Sequence, residues 1–176
     1  TGAFAHLKGS LIKYKPPPGT KQVIYEFDYH AEIDEGGGSS WRLFHQKFMF
    51  NNQHMEAFDE SYASNRIVEG PAKMKAIIEI GETDDFAKGK ILSWDEPITL
   101  QTYVRQYDSN QSQNDEADFH GLYYWDGVGS DKIFVPCLTI TAIGEGPSIR
   151  PASGGNVVTR YFDTQKSITI PYSVPG

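Results

Sequence analysis

Apolar and polar residues alternate with a period of two from one end of this chain to the other. The clearest run is Lys21 to Ile33, where Val23, Tyr25, Phe27, Tyr29, Ala31 and Ile33 fall on one face and Glu26, Asp28, His30 and Glu32 on the other. Successive side chains of a strand point to opposite sides, so this run predicts a strand with one core face and one polar face. Phe4 to Tyr14 reads as a strand before it, broken by Lys15-Pro16-Pro17-Pro18-Gly19-Thr20, because consecutive prolines have no N–H for a ladder. Trp41 to Phe50 reads as a strand after it, across the turn Asp34-Glu35-Gly36-Gly37-Gly38-Ser39-Ser40, so the region predicts a long antiparallel hairpin.

The segment Asn51 to Asn65 breaks the pattern. Met55, Phe58 and Tyr62 sit at helical spacing behind two candidate N-caps, Asn51 and Asn52, and predict the one short helix, with an ordered loop as the alternative. Strands resume at Lys73 to Ile80, Lys90 to Trp94 and Ile98 to Tyr107, and again at Phe119 to Trp125, Lys132 to Ile143, Val157 to Phe162 and Ser167 to Tyr172. Pro136 inside a strong strand predicts an edge or a bulge there. The whole is expected to be all-β: residues 1–176 as a single, mainly antiparallel domain, a β-sandwich, jelly roll or β-barrel.

Composition sharpens this picture. Of the 176 residues, 39% are hydrophobic and 13% aromatic, enough for a core that needs no covalent staples. The net charge of −7 disfavours general binding to nucleic acid or to a membrane surface. The single cysteine, Cys137, lies in the apolar run Phe134-Val135-Pro136-Cys137-Leu138 and is expected to be buried and inert. Compartment stays open: the chain begins Thr-Gly-Ala with no charged-then-apolar leader following, which leaves undecided whether a leader was removed.

Candidate chemistry falls in two places. Asp28, His30 and Glu32 alternate on one strand face, where an imidazole flanked by carboxylates can act as a general base, or join His45 in a divalent-metal site. The same three residues are also what the solvated face of an amphipathic strand requires, and no cofactor or metal is called for. The second candidate is aromatic: Trp94 and Tyr124-Trp125-Asp126 place rings beside acids where a strand meets a turn, and Trp41 follows a glycine loop, the pattern of glycan and interface anchors. Large aromatics are also ordinary core filling. Acid-rich loops at Asn114-Asp115-Glu116 and Asp126 to Asp131 offer oxygen ligands for Ca²⁺, though neither matches an EF-hand. His6, His54 and His120 look isolated. No nucleophile elbow and no phosphate loop occurs.

These features read best as a non-catalytic binding or assembly module that presents aromatic and acidic loops to a glycan, a small ligand or a protein partner. The rival is a small β-barrel enzyme, an isomerase, cyclase or hydrolase, working through Asp28, His30 and Glu32. A self-assembling structural subunit is the third reading.

Overall fold

A computed structural model describes residues 3–33, 42–64, 68–108, 117–122, 132–133, 135–144 and 165–171. In chain order the strands are β1 (Ala5–His6), β2 (Ile12–Tyr14), β3 (Thr20–Ile33), β4 (Arg42–Phe50), β5 (Gln53–Ser64), β6 (Val68–Ile80), β7 (Lys90–Ile91) and β8 (Ile98–Asp108). They continue with β9 (Ala117–Phe119), β10 (Gly121–Leu122), β11 (Lys132–Ile133), β12 (Cys137–Gly144) and β13 (Gln165–Pro171). The first sheet runs β1-β8-β4-β5, with β2 beside β8; the second runs β13-β12-β3-β6-β7, with β9 beside β3; β10 and β11 form a small ladder. Pairing is antiparallel except between β6 and β7. The two sheets pack together as a β-sandwich.

Alternation builds the core as the sequence requires. Val23, Tyr25, Phe27 and Tyr29 are fully buried on β3, while Glu26 and Asp28 face outward. Across the ladder the large rings meet small partners: Tyr25 lies opposite Ala76, and Tyr29 opposite Ala72. Such pairs let the layer fill at interior density without overpacking. The facing sheet contributes Phe44, Phe48, Phe50, Met55, Leu100 and Val104, with Phe48 packed on Tyr25 at 5.0 Å between centroids. Two buried hydroxyls tie the sheets together: Tyr25 donates to Ser10 O at 2.6 Å, and Tyr29 to Gln46 Oε1 at 2.6 Å.

Several expectations are corrected. Residues 53–64 form a strand, and no helix occurs there. Asn51 and Asn52 have φ of 48° and 63°, the left-handed pair of a type I′ two-residue hairpin turn, so the two asparagines close β4 onto β5. The ladder then shifts register: Phe48 pairs with Met55 but Gln46 with Glu60, leaving Glu56, Ala57, Phe58 and Asp59 opposite Lys47. This excursion resets the phase of alternation, so Met55, Phe58 and Tyr62 all pack against the core at a spacing that imitates a helix. The expected hairpin of the third and fourth strands also fails, since β3 and β4 lie in different sheets. Pro136 marks neither an edge nor a bulge. It stands just before β12, an internal strand, where no ladder bond is lost. Cys137 is half-buried rather than buried, because it faces outward on β12, opposite Asp28.

The open side of β6 is guarded. Glu79 donates its backbone N–H to Gly89 O at 2.9 Å, so odd-numbered residues of this regular strand turn their backbone groups away from β3. Pro71 occupies such a position and has no N–H to offer, and Lys73 O is taken by Gln46 Nε2 at 2.9 Å and by Tyr62 OH at 3.3 Å. No helix among the described residues is long and apolar enough to cross a membrane.

Candidate functional site

The outward face of the first sheet gathers polar and aromatic side chains that the sequence scatters over a hundred residues. His6 pairs with Tyr103 and Tyr103 with Lys47, forming one cross-strand row. In the next row Arg105 pairs with His45 and His45 with Ser61, and Phe4, preceding β1, lies over the start of that row. Directly opposite side chains stand about 4.5–5.5 Å apart at Cβ, so the two rows form one continuous patch. Residues 56–59, displaced by the register shift, bring Asp59 onto the same face beside His54.

The patch is wired through its histidines. Arg105 can only donate, and its Nη2 lies 3.3 Å from His45 Nδ1. That places the His45 proton on Nε2, which faces Asp59 Oδ2 at 3.4 Å. The other carboxylate oxygen accepts from His54 Nε2 at 2.6 Å, a short charge-assisted contact. Lys47 Nζ stands 4.1 Å and Arg105 Cζ 4.5 Å from the centroid of the Phe4 ring. Cation–π attraction of this kind, worth about 0.5–1 kcal/mol near a surface, holds both cations in place. Neither has a carboxylate partner among the described residues, and Arg105 Nε is buried without one. On the second sheet the lysines are neutralised: Lys73 meets Asp28 at 3.1 Å, Lys75 meets Glu26 at 3.5 Å and Lys90 meets Glu79 at 3.0 Å.

The residues anticipated from sequence are placed differently. Asp28 faces outward on the second sheet and is engaged by Lys73, which that contact holds above its usual pKa. His30 is only 5% exposed, so it does not share an open face with Asp28, and the side chain of Glu32 lies outside the described residues. His45 belongs to the opposite sheet, which separates it from Asp28 and His30 by the thickness of the sandwich. Among the described residues no group of three His, Cys, Asp or Glu side chains is arranged to hold a metal ion. Trp94 is a core residue, 7% exposed and packed edge-on against Phe50 and Tyr14, so it is no surface anchor. Trp41, Tyr124, Trp125 and Asp126 lie outside the described residues, as do both acid-rich loops.

The histidines that looked isolated are not. His54 joins Asp59, and His6 lies edge-on to Tyr103 at 5.8 Å. His120 donates its backbone N–H to His30 O at 2.9 Å and its ring Nε2 to Lys8 O at 3.0 Å, linking β3 to the turn between β1 and β2. Alternation on β4 and β8 marked His45, Lys47, Tyr103 and Arg105 as one outward set. Nothing in the sequence marked β4 and β8 as neighbours. Comparison with known proteins finds no matching family model, no matching curated protein and no matching solved structure.

Proposed function

We propose that this chain is a non-catalytic binding module whose recognition surface is the outward face of the first sheet, and that its ligand is a glycan, a small molecule or a protein partner. One observation carries the reading: Lys47 and Arg105 are fixed over the Phe4 ring with no carboxylate among the described residues to neutralise them, in a chain of net charge −7. Cations held in place but uncompensated pay little ordering cost when a partner group arrives. The acidic remainder of the surface repels indiscriminate polyanions, which favours selective contact.

The test is amide chemical-shift mapping during titration with a mixed panel of oligosaccharides, small carboxylates and peptides. Shifts are expected to gather at Phe4, His45, Lys47, Tyr103 and Arg105. Shifts confined to the second sheet or to the loops would remove this face as the recognition surface.

An enzyme remains the second reading, and the 2.6 Å contact of His54 with Asp59 is what favours it. A carboxylate that fixes one ring nitrogen leaves the other as a positioned base. His54→Gln should then abolish turnover of any substrate found while leaving the fold intact by circular dichroism.

A further inference from the structure

The candidate surface contains two kinds of polar group that point to one class of ligand. Lys47 and Arg105 supply positive charge with no carboxylate partner among the described residues. Beside them stand groups suited to hydroxyls: the Asp59 carboxylate, the exposed Ser61 hydroxyl and the second nitrogen of His54. An ionised carboxylate accepts about four hydrogen bonds, so Asp59 retains capacity beyond its two histidines. We infer that the ligand is an acidic glycan, a uronate-bearing or sulfated oligosaccharide, whose anionic group is taken by Lys47 and Arg105 and whose hydroxyls meet Asp59, His54 and Ser61. This inference rests on the binding reading above.

Other ligand classes fit less well. A neutral sugar brings no counter-charge to either cation. An extended peptide is recognised chiefly through main-chain bonds at a sheet edge. Here Lys47 and Arg105 stand on internal strands, β4 between β8 and β5 and β8 between β4 and the β1/β2 pair, so the two cations lie away from the sheet edge at β5. A long phosphodiester would meet the repulsion of the acidic chain beyond these two charges. Two cations lie over the Phe4 ring, so the ring acts as their scaffold and leaves recognition to the charge.

The experiment uses the full chain and three probes: a sulfated oligosaccharide, its desulfated counterpart and an oligogalacturonate, measured by isothermal titration calorimetry at 50 and 300 mM salt. Both acidic sugars are expected to bind, with affinity falling at high salt, and the desulfated sugar to bind at least 10-fold more weakly. The double variant Lys47→Gln/Arg105→Gln should lose at least 10-fold toward the acidic sugars. The control Lys73→Gln/Lys75→Gln, which alters charge on the second sheet, should lose less than 2-fold. Circular dichroism and melting confirm that each variant is folded; if the double variant is not, the single variant Lys47→Gln serves. Equal binding of acidic and desulfated sugars, or no binding of any of the three, overturns the acidic-glycan assignment and leaves the face to be judged by shift mapping. Acidic-sugar binding that survives Lys47→Gln/Arg105→Gln overturns both.

Discussion

Tyr25 and Tyr29 bring two hydroxyls into the middle of an apolar layer, and each is satisfied there by a partner from the first sheet or the turn beside it. Burial pushes both phenols well above the usual tyrosine pKa, so they act as donors throughout the ordinary pH range. Tyr29→Phe leaves Gln46 Oε1 without its 2.6 Å donor in a fully buried side chain. The expected cost is about 1–3 kcal/mol in urea denaturation. Tyr14→Phe, at a hydroxyl with no hydrogen-bond partner among the described residues, should stay within about 0.5 kcal/mol. His120 is the strained residue of the set, a non-glycine at φ 70° with a buried Nδ1 that has no hydrogen-bond partner. Desolvation lowers its pKa, opposed by the bond to Lys8 O and assisted by His30 and Lys8; desolvation also lowers that of His6. A histidine with a folded pKa below its unfolded value of about 6.5 gains a proton on unfolding in acid. Its stabilisation is therefore present above pH 6.5 and is lost as pH falls below it. Stability measured in urea should decline from pH 7 to pH 5, and His120→Asn, which tolerates the backbone geometry, should flatten that slope. An unchanged slope would assign the acid sensitivity elsewhere.

At the scale of elements, the β4–β5 hairpin shows how a local signal can be read with the wrong period. Asn51-Asn52 supplies two residues that tolerate positive φ, and this turn chemistry dictates a hairpin more strongly than the spacing of Met55, Phe58 and Tyr62 dictates a helix. That spacing came from a register shift, which no alternation rule reveals because the inserted residues 56–59 reset the phase. Asn51→Val should destabilise by about 1–2 kcal/mol, since a β-branched side chain resists the left-handed region. Asn51→Gly should be neutral or slightly stabilising. Thermal unfolding of the two variants checks both, and equal melting points would contradict the turn assignment. The 3₁₀ turn at Phe86–Lys88 ends in Gly89 at φ 77°, where an added Cβ would collide with the Phe58 ring; this contact docks the turn on the displaced part of β5.

At the scale of the whole molecule, the long β6 edge carries Pro71 and the occupied Lys73 carbonyl, features that oppose pairing with a neighbouring strand. Pro71→Val restores an N–H at an outward position of that edge, and the variant is expected to self-associate more than the parent protein at matched stability. Light scattering after size-exclusion chromatography measures this, and an unchanged monomer fraction would show that Lys73, Gln46 and Tyr62 suffice to guard the strand. The alternation of β3, β6, β8 and β12 was legible in the sequence, because burying one face of a pleated strand forces a period of two on side-chain polarity. That same alternation identified Tyr25, Phe27 and Tyr29 as core and Asp28 as outward. It could not say which strands are neighbours, since the loop after β3 is compatible with a hairpin or with a crossing between sheets. Nor could it say that His30 is covered although it faces away from the core. The candidate surface depended entirely on those pairings: Phe4, His45, Asp59 and Arg105 meet because β1, β4, β5 and β8 share a sheet. Sequence by itself determined strand character and the inward set, both local consequences of backbone geometry and burial. Partner choice, register shift and the meeting of charges were decided by tertiary structure, because they depend on contacts between residues that the chain order holds far apart.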